Sequence, residues 1–195
     1  MLSHDPTRGE VVIVEHEWSR LAEIEVTGGH PLGLLPDLIA QAGNLSLNIE
    51  IKNWPNEPDF DDSVEFAIEA AGYARDIDLV TCFHWPTMRD VRAARPSVRT
   101  GLLVDAGWDW RAARDEALTY GHEALALHHS LISDEPAAVM APISGLAVLV
   151  WAVNDPELGI QLADANVYGV ITDDPAAMVG ALGEVPEVSP PPDEH

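Results

Sequence analysis

The chain has 195 residues, of which 33 are acidic and 10 are basic, so its formal net charge is -23 with neutral histidines. Such a chain repels phosphate backbones and anionic lipid headgroups, and because no basic patch interrupts it, general nucleic-acid binding and membrane-surface binding are excluded. With 47% apolar residues, the chain is long enough to bury a substantial core as one soluble domain.

The only cysteine, Cys82, allows no internal disulfide, which fits a reducing compartment. The longest apolar run, at 146–153, is far shorter than the roughly 20 residues of a spanning helix. The N-terminus also lacks a basic segment followed by an apolar one. We therefore expect a cytoplasmic protein without a stable membrane anchor.

The first 44 residues carry a weak pattern, which predicts a short strand at 10–15 and short helices at 18–24 and 36–42. From residue 45 onward, short apolar runs alternate with amphipathic stretches, which is typical of repeated β-α units around a parallel sheet. Strands are predicted at 45–52, 78–83, 98–104, 124–127, 147–153 and 169–172. Helices are predicted between them at 61–74, 87–94, 110–120, 134–142 and 156–165.

The tail at 184–195 is acidic and proline-rich, so we expect it to be disordered and the folded domain to span 1–183. Six parallel β-α units fit an open doubly wound sheet or a (β/α)8 barrel whose first strands are missing. The periodicity of apolar residues does not distinguish the open sheet from the incomplete barrel.

Polar residues are expected at the carboxyl ends of the strands, where parallel-sheet enzymes hold their reacting groups. In the segment 47–52, polar and apolar residues alternate, which puts Asn48, Glu50 and Lys52 on one face. A carboxylate and an ammonium two residues apart could hold a divalent cation and an anionic substrate oxygen. The spacing is also typical of a solvated strand face with an internal ion pair.

The histidines fall into two groups. His84, His128 and His129 stand at strand ends, where an imidazole can transfer a proton, contact a phosphoryl oxygen or make structural hydrogen bonds. His4 opens the chain in Ser-His-Asp-Pro-Thr, with no strand before it. The others lie in polar stretches and are expected at the surface: His16, His30, His122 and His195.

Five segments together resemble the glycerophosphodiester phosphodiesterase family of metal-dependent TIM-barrel enzymes. In the family's order they are Ser-His-Asp-Pro-Thr at 3–7, Leu-Asn-Ile-Glu-Ile-Lys at 47–52, Phe-His-Trp-Pro at 83–86, Trp-Ala-Val-Asn-Asp-Pro at 151–156 and Gly-Val-Ile-Thr-Asp-Asp-Pro at 169–175. The resemblance implies an α/β fold of the TIM (β/α)8 type. It also implies hydrolysis of small glycerophosphodiesters to glycerol 3-phosphate and an alcohol.

The resemblance implies a role for each matching position. His4 corresponds to one of two acid/base histidines, Glu50 to a carboxylate ligand of Mg²⁺ or Ca²⁺, and Lys52 to a phosphate-contacting residue. Trp151 would border the glycerol moiety. His84, which ends its strand inside a matching segment, is expected to bind the substrate.

The family pattern also contains His-Arg-Gly and Glu-x-Asp strands ahead of the His-Asp-Pro segment, at which this sequence starts. We therefore expect an incomplete barrel, truncated at its N-terminus, without the second histidine, an arginine and two metal carboxylates. If the start codon is assigned too far downstream, the longer chain that begins at the true start is a working enzyme. If the chain is a genuine truncation, we expect little or no hydrolysis, because groups for proton transfer and metal binding are missing. The alternative function is a catalytically inactive remnant that binds a phosphate ester or a partner chain. An unrelated barrel enzyme acting on a carboxylate would leave four of the five segments unexplained.

Overall fold

The structure is a computed structural model that describes residues 1–5, 7–8, 10–26, 30–52, 64–143 and 145–183. The chain divides into two compact units, Met1–Arg99 and Thr100–His195, called here the first and the second unit. The predicted single domain over 1–183 stays a prediction, and the predicted tail at 184–195 lies outside the described residues.

The first unit begins with short elements. Two antiparallel pairs of two-residue strands occur in it, β1 with β2 and β3 with β4. In chain order the elements are β1 (Thr7–Arg8), β2 (Val11–Val12), a 3-10 helix (Ile13–Glu15), α1 (Trp18–Leu21), β3 (Glu25–Val26), β4 (His30–Pro31) and α2 (Leu35–Ala42). The predicted strand at 10–15 is therefore shorter than expected, because the chain turns into the 3-10 helix after Val12. The two predicted helices are confirmed as α1 and α2.

The rest of the first unit is built from β-α repeats. Its elements are β5 (Asn48–Ile51), α3 (Val64–Ala71), β6 (Leu79–Cys82) and α4 (Trp85–Ala94). β5 and β6 are parallel, with Glu50 opposite Thr81 and Ile51 opposite Cys82. All four residues of β6 are buried, whereas β5 alternates between exposed and buried positions. β5 therefore has one packed face and one polar face.

The second unit contains four parallel strands in the order β7, β8, β9, β10. Its elements are β7 (Arg99–Val104, beginning at the unit boundary), α5 (Trp110–Tyr120), β8 (Ala124–His128), α6 (Pro136–Met140), β9 (Ala147–Trp151), α7 (Pro156–Asp164), β10 (Gly169–Val170) and α8 (Pro175–Leu182). Leu125, Leu127, Val148 and Val150 form the centre of its core, each no more than 1% exposed. Among the described residues, no helix has the length and apolarity needed to cross a bilayer.

Three helices of the second unit begin at aspartate caps. Asp109, Asp155 and Asp174 accept hydrogen bonds of 2.9 Å, 2.9 Å and 3.0 Å from backbone N–H groups in the first turns of α5, α7 and α8. A carboxylate at this position satisfies a donor that the helix itself cannot pair. The last two caps also fix the loops that leave β9 and β10.

The six predicted strands and the five helices after residue 45 are present, with small differences in length. α5 has the predicted bounds. α4 starts at Trp85, two residues before the prediction, because Pro86 is tolerated in the first turn. α6 is shorter than predicted and continues into a 3-10 helix at Ala141–Ile143. The predicted start of the helix at 61–74 lies outside the described residues, and α8 was not predicted.

The expected surface position of His122 is wrong. Its side chain is 3% exposed, and Nδ1 lies 2.8 Å from the hydroxyl oxygen of Thr100, which is fully buried. The turn at Gly121 after α5 brings His122 to the start of β8, beside the strand that carries Thr100. His16 is exposed as expected, whereas the side chains of His30 and His195 lie outside the described residues.

Candidate active site

The polar face of β5 is the best-defined part of the predicted site in the first unit. Asn48, Glu50 and Lys52 are exposed, while Ile49 and Ile51 between them are buried, so the predicted alternation is confirmed. Lys52 Nζ donates a hydrogen bond of 3.2 Å to Glu50 Oε1, and both side chains keep about a third of their surface exposed, at 31% and 33%. The ion pair that the spacing allowed is therefore present, and it remains accessible to a ligand.

Side chains of β6 and of the residue directly after it lie against this face. The hydroxyl of Thr81, which is fully buried, donates to Asn48 Oδ1 at 3.0 Å. Lys52 Nζ lies 6.0 Å from the centroid of the Phe83 ring, at the outer limit of a cation–π contact. These contacts hold the amide of Asn48 and place the ammonium of Lys52 above the end of β6.

His84 follows β6 and stands at the N-terminus of α4. It is half-buried, and its Nδ1 lies 2.8 Å from the hydroxyl oxygen of Thr87, which is itself 1% exposed. His84 thus makes the structural hydrogen bond that the sequence allowed. Its predicted part in substrate binding stays a prediction.

His4 lies in the first segment of the chain with 83% of its side chain exposed. Its Nδ1 is 2.8 Å from Asp5 Oδ1. A carboxylate at this distance favours the tautomer with the proton on Nδ1, which makes Nε2 the proton acceptor. The segment is connected to the following part of the unit by a hydrogen bond of 2.9 Å from the N–H of Leu2 to the carbonyl of Gly33.

Trp151 ends β9 in the second unit and is held from two sides. Its indole N–H donates to the carbonyl oxygen of Ala126 at 2.9 Å. The ring of His128, directly opposite in the β8–β9 register, packs edge to face against it at 4.9 Å between centroids. Trp151 is half-buried, so the fixed indole still presents a surface at the carboxyl end of the strand.

A hydrogen-bond network joins the loops after β9 and β10. Asn154 Oδ1 accepts from the Thr172 hydroxyl at 3.0 Å and from the Asp173 N–H at 2.9 Å, and Asn154 Nδ2 donates to Asp173 Oδ2 at 2.8 Å. These three residues belong to two of the five segments that carry the resemblance, which implies no role for them. The structure shows that they fix the loop next to Trp151.

His128 ends β8, and it is not one of the positions to which the resemblance gives a role. Its ring lies 4.4 Å from that of His129 between centroids. Burial lowers the pKa of His128, and His129 lowers it further, while Asp105 opposes both effects. His128 is therefore neutral at pH 7.

The described residues provide only one of the ligands expected for the predicted metal ion. Glu50 offers a carboxylate of the kind that Mg²⁺ and Ca²⁺ bind, although it is paired with Lys52. In the part of the chain that the structure describes, no group of three His, Cys, Asp or Glu side chains is arranged to hold a metal ion. The described residues do not complete a metal site, and the choice of Mg²⁺ or Ca²⁺ stays a prediction.

Parallel β-α units with polar side chains at the carboxyl ends of their strands define an α/β protein with a parallel sheet. The model of the glycerophosphoryl diester phosphodiesterase family matches residues 5–177, and the chain belongs to this family. The family predicted from the five segments is thereby confirmed.

A curated relative and two solved structures show how far the likeness extends. A glycerophosphodiester phosphodiesterase of Caldanaerobacter subterraneus subsp. tengcongensis is 26% identical over 140 residues, which are 70% of this chain and 55% of that protein. The chain thus spans about half the length of the curated relative it matches.

A glycerophosphodiester phosphodiesterase from Parabacteroides distasonis superposes with a TM-score of 0.74 at 19% identity, covering 92% of this chain and 76% of that one. An Oleispira antarctica phosphodiesterase in complex with the product sn-glycerol-3-phosphate gives 0.72 at 17% identity, covering 92% and 78%. Together with the family match, these likenesses confirm the predicted α/β fold of the TIM-barrel type.

Proposed function

We propose that this chain carries part of the site that hydrolyses glycerophosphodiesters to glycerol 3-phosphate and an alcohol, a reaction of lipid metabolism. The observation that carries the proposal is the accessible Glu50–Lys52 pair at the carboxyl end of β5, inside the region matched by the family. The Oleispira neighbour, whose structure contains sn-glycerol-3-phosphate, supports this choice of product.

Lys52 is the proposed contact for the phosphate group. A phosphoryl oxygen carries the same kind of charge as Glu50 Oε1, which Lys52 Nζ already contacts at 3.2 Å. The Lys52 side chain is 31% exposed beside Glu50, so a phosphoryl oxygen can approach its ammonium from solvent. Glu50 would supply one carboxylate to a Mg²⁺ or Ca²⁺ ion, which when bound neutralises phosphoryl charge.

Proton transfer is assigned to His4. With Asp5 at Nδ1, the lone pair of Nε2 can accept a proton, and the resulting imidazolium can return it to a leaving oxygen. His84 and Trp151 are proposed to bind the substrate, with the half-buried indole bordering the glycerol moiety. A cytoplasmic location is proposed as well, since a chain with a single, buried cysteine does not depend on a disulfide for its stability.

The test is release of glycerol 3-phosphate from glycerophosphocholine with Mg²⁺ or Ca²⁺ present. The 195-residue chain is compared with a version that includes any coding segment directly upstream. Turnover by either form supports the proposal. Binding of glycerol 3-phosphate without turnover by either form, measured by calorimetry, would replace it with the inactive phosphate-ester-binding remnant.

A further inference from the structure

His128 and Trp151 form one surface in the second unit. They lie opposite each other at the ends of β8 and β9, with their rings edge to face at 4.9 Å between centroids. The indole is fixed by its bond to the carbonyl of Ala126. The imidazole and the half-buried indole are therefore neighbours at the carboxyl ends of these two strands.

The hydrogen bonds of His128 determine which ring nitrogen carries the proton. The backbone N–H of Ser130 donates to Nδ1 at 3.2 Å, and the Ser130 hydroxyl lies 2.8 Å from the same atom. Since a backbone N–H needs an acceptor, Nδ1 is unprotonated, and the neutral ring carries its proton on Nε2. Among the described residues, the hydrogen bonds of this ring all involve Nδ1, so the donor at Nε2 is left for a ligand.

A neutral N–H donor beside an aromatic ring suits a hydroxyl oxygen. The half-buried position and the neighbouring His129, 4.4 Å away between ring centroids, both disfavour a charged imidazole. An anionic phosphoryl oxygen bonds about twice as strongly to a charged donor as to a neutral one. The chemistry of the surface therefore matches the polyol part of the substrate.

We infer that His128 is a substrate-binding residue that recognises glycerol, its Nε2–H donating to one glycerol hydroxyl oxygen beside Trp151. This inference rests on the proposed function. It adds a residue that selects glycerol over diols with the same three-carbon chain. Ser130 is a positioning residue, because its N–H holds the tautomer that the contact requires.

Two substitutions of His128 separate the N–H donor at Nε2 from the acceptor at Nδ1, which binds the Ser130 N–H. In His128→Asn, the amide oxygen can still accept from the Ser130 N–H, but the donor at Nε2 is lost. In His128→Gln, the longer amide can place an N–H near the position of Nε2. His16→Asn serves as the control, because His16 is an exposed histidine of the first unit.

The test compares glycerophosphocholine with two diesters whose glycerol, esterified at C3, lacks the hydroxyl at C1 or at C2. The form of the chain that turns over glycerophosphocholine is expected to prefer it over one of these analogues by roughly fivefold in kcat/KM, the effect of one neutral hydrogen bond. His128→Asn is expected to lower kcat/KM roughly fivefold on glycerophosphocholine and to leave that analogue unchanged, so that the preference disappears. His128→Gln should restore part of it, and His16→Asn should keep all of it.

Equal losses on all three diesters in His128→Asn would show a purely structural role and overturn the inference while the proposed hydrolysis stands. If wild type binds without turnover, the same comparison is made with the dissociation constants of glycerol 3-phosphate and the two deoxy phosphates. A preference lost in His128→Asn would then support the inference although hydrolysis has failed. Wild type that neither turns over nor binds these ligands would overturn both.

Discussion

Asp78 Oδ1 accepts a hydrogen bond of 2.9 Å from the backbone N–H of Leu47, which joins the start of β6 to the residue that leads into β5. Asp78 is fully buried, and its other oxygen accepts 2.9 Å bonds from both the backbone N–H and Nε of Arg75. Arg75 in turn donates to the carbonyls of Gly43 and Leu45 at 2.6 Å each. One buried carboxylate thereby fixes where β5 starts beside β6, and with it the position of the Glu50–Lys52 pair.

Asp78→Ala should destabilise the chain by about 3 kcal/mol, because it leaves the Leu47 N–H and the Arg75 guanidinium without their buried acceptor. Urea unfolding followed by circular dichroism measures the loss. Asp76→Ala is the matched control, since Asp76 is an exposed aspartate two residues earlier and its removal should cost less than about 0.5 kcal/mol. Equal effects of the two substitutions would contradict the structural role of Asp78.

The same carboxylate predicts a pH dependence of stability. Its side-chain hydrogen bonds with Arg75 are the main reason that the pKa of Asp78 is lowered from 3.8 to about 2. Because the folded pKa lies below the unfolded one, this contribution of about 2 kcal/mol is present above pH 4 and is lost as pH falls toward 2. The stability advantage of wild type over Asp78→Asn should therefore shrink between pH 5 and pH 2. An advantage that stays constant over this range would show that the ionised form is not specifically stabilised.

Gly159 and Gly180, in α7 and α8, predict different effects of alanine. A Cβ at Gly159 would overlap the sulfur of Met178, whereas at Gly180 it meets nothing within 4 Å. Gly180→Ala should raise the free energy of unfolding by about 0.5–1 kcal/mol through helix propensity. Gly159→Ala should give a smaller gain than Gly180→Ala, because the buried end of the Met178 side chain must move aside. Thermal unfolding of both variants checks the difference, and equal stabilisation by the two substitutions would show that α7 and α8 do not pack as described.

Removal of the ammonium of Lys52 should reduce activity by much more than the loss of one surface charge. Lys52→Met is expected to lower kcat/KM for glycerophosphocholine roughly tenfold or more, because a hydrogen bond to a charged oxygen is lost. Arg20→Met removes a positive charge from an exposed side chain of the first unit, paired with Glu23 at 3.4 Å, and should leave kcat/KM unchanged. Similar losses in both variants would mean that Lys52 acts through the general field of the protein.

Local sequence patterns predicted the features that depend on neighbouring residues. The exposed Asn48 and Glu50 and the buried Ile49 follow from the two-residue period of a strand, and the bounds of α5 follow from its cap and its pattern. α8 was missed although Asp174 and Pro175 mark its start, because the small residues after them give no clear polar face.

Features that depend on distant partners were not predictable in this way. The burial of His122 depends on Thr100, 22 residues away in the chain, and nothing in the polar surroundings of His122 indicates that partner. The edge-to-face contact of His128 and Trp151 likewise depends on the register of β8 and β9. The ion pair of Glu50 and Lys52 was foreseen only as one of two interpretations, and their roles with metal and phosphate stay predictions.

The most direct test of the proposed function is the effect of Glu50→Ala on glycerol 3-phosphate release from glycerophosphocholine. It is measured in whichever form turns over, the 195-residue chain or its upstream-extended version, with Mg²⁺ or Ca²⁺ present and with folding checked by circular dichroism. We predict that Glu50→Ala abolishes release while the protein stays folded, because both the metal carboxylate and the partner that positions Lys52 are lost. Full activity of the folded Glu50→Ala variant would contradict the assignment of the site to the end of β5.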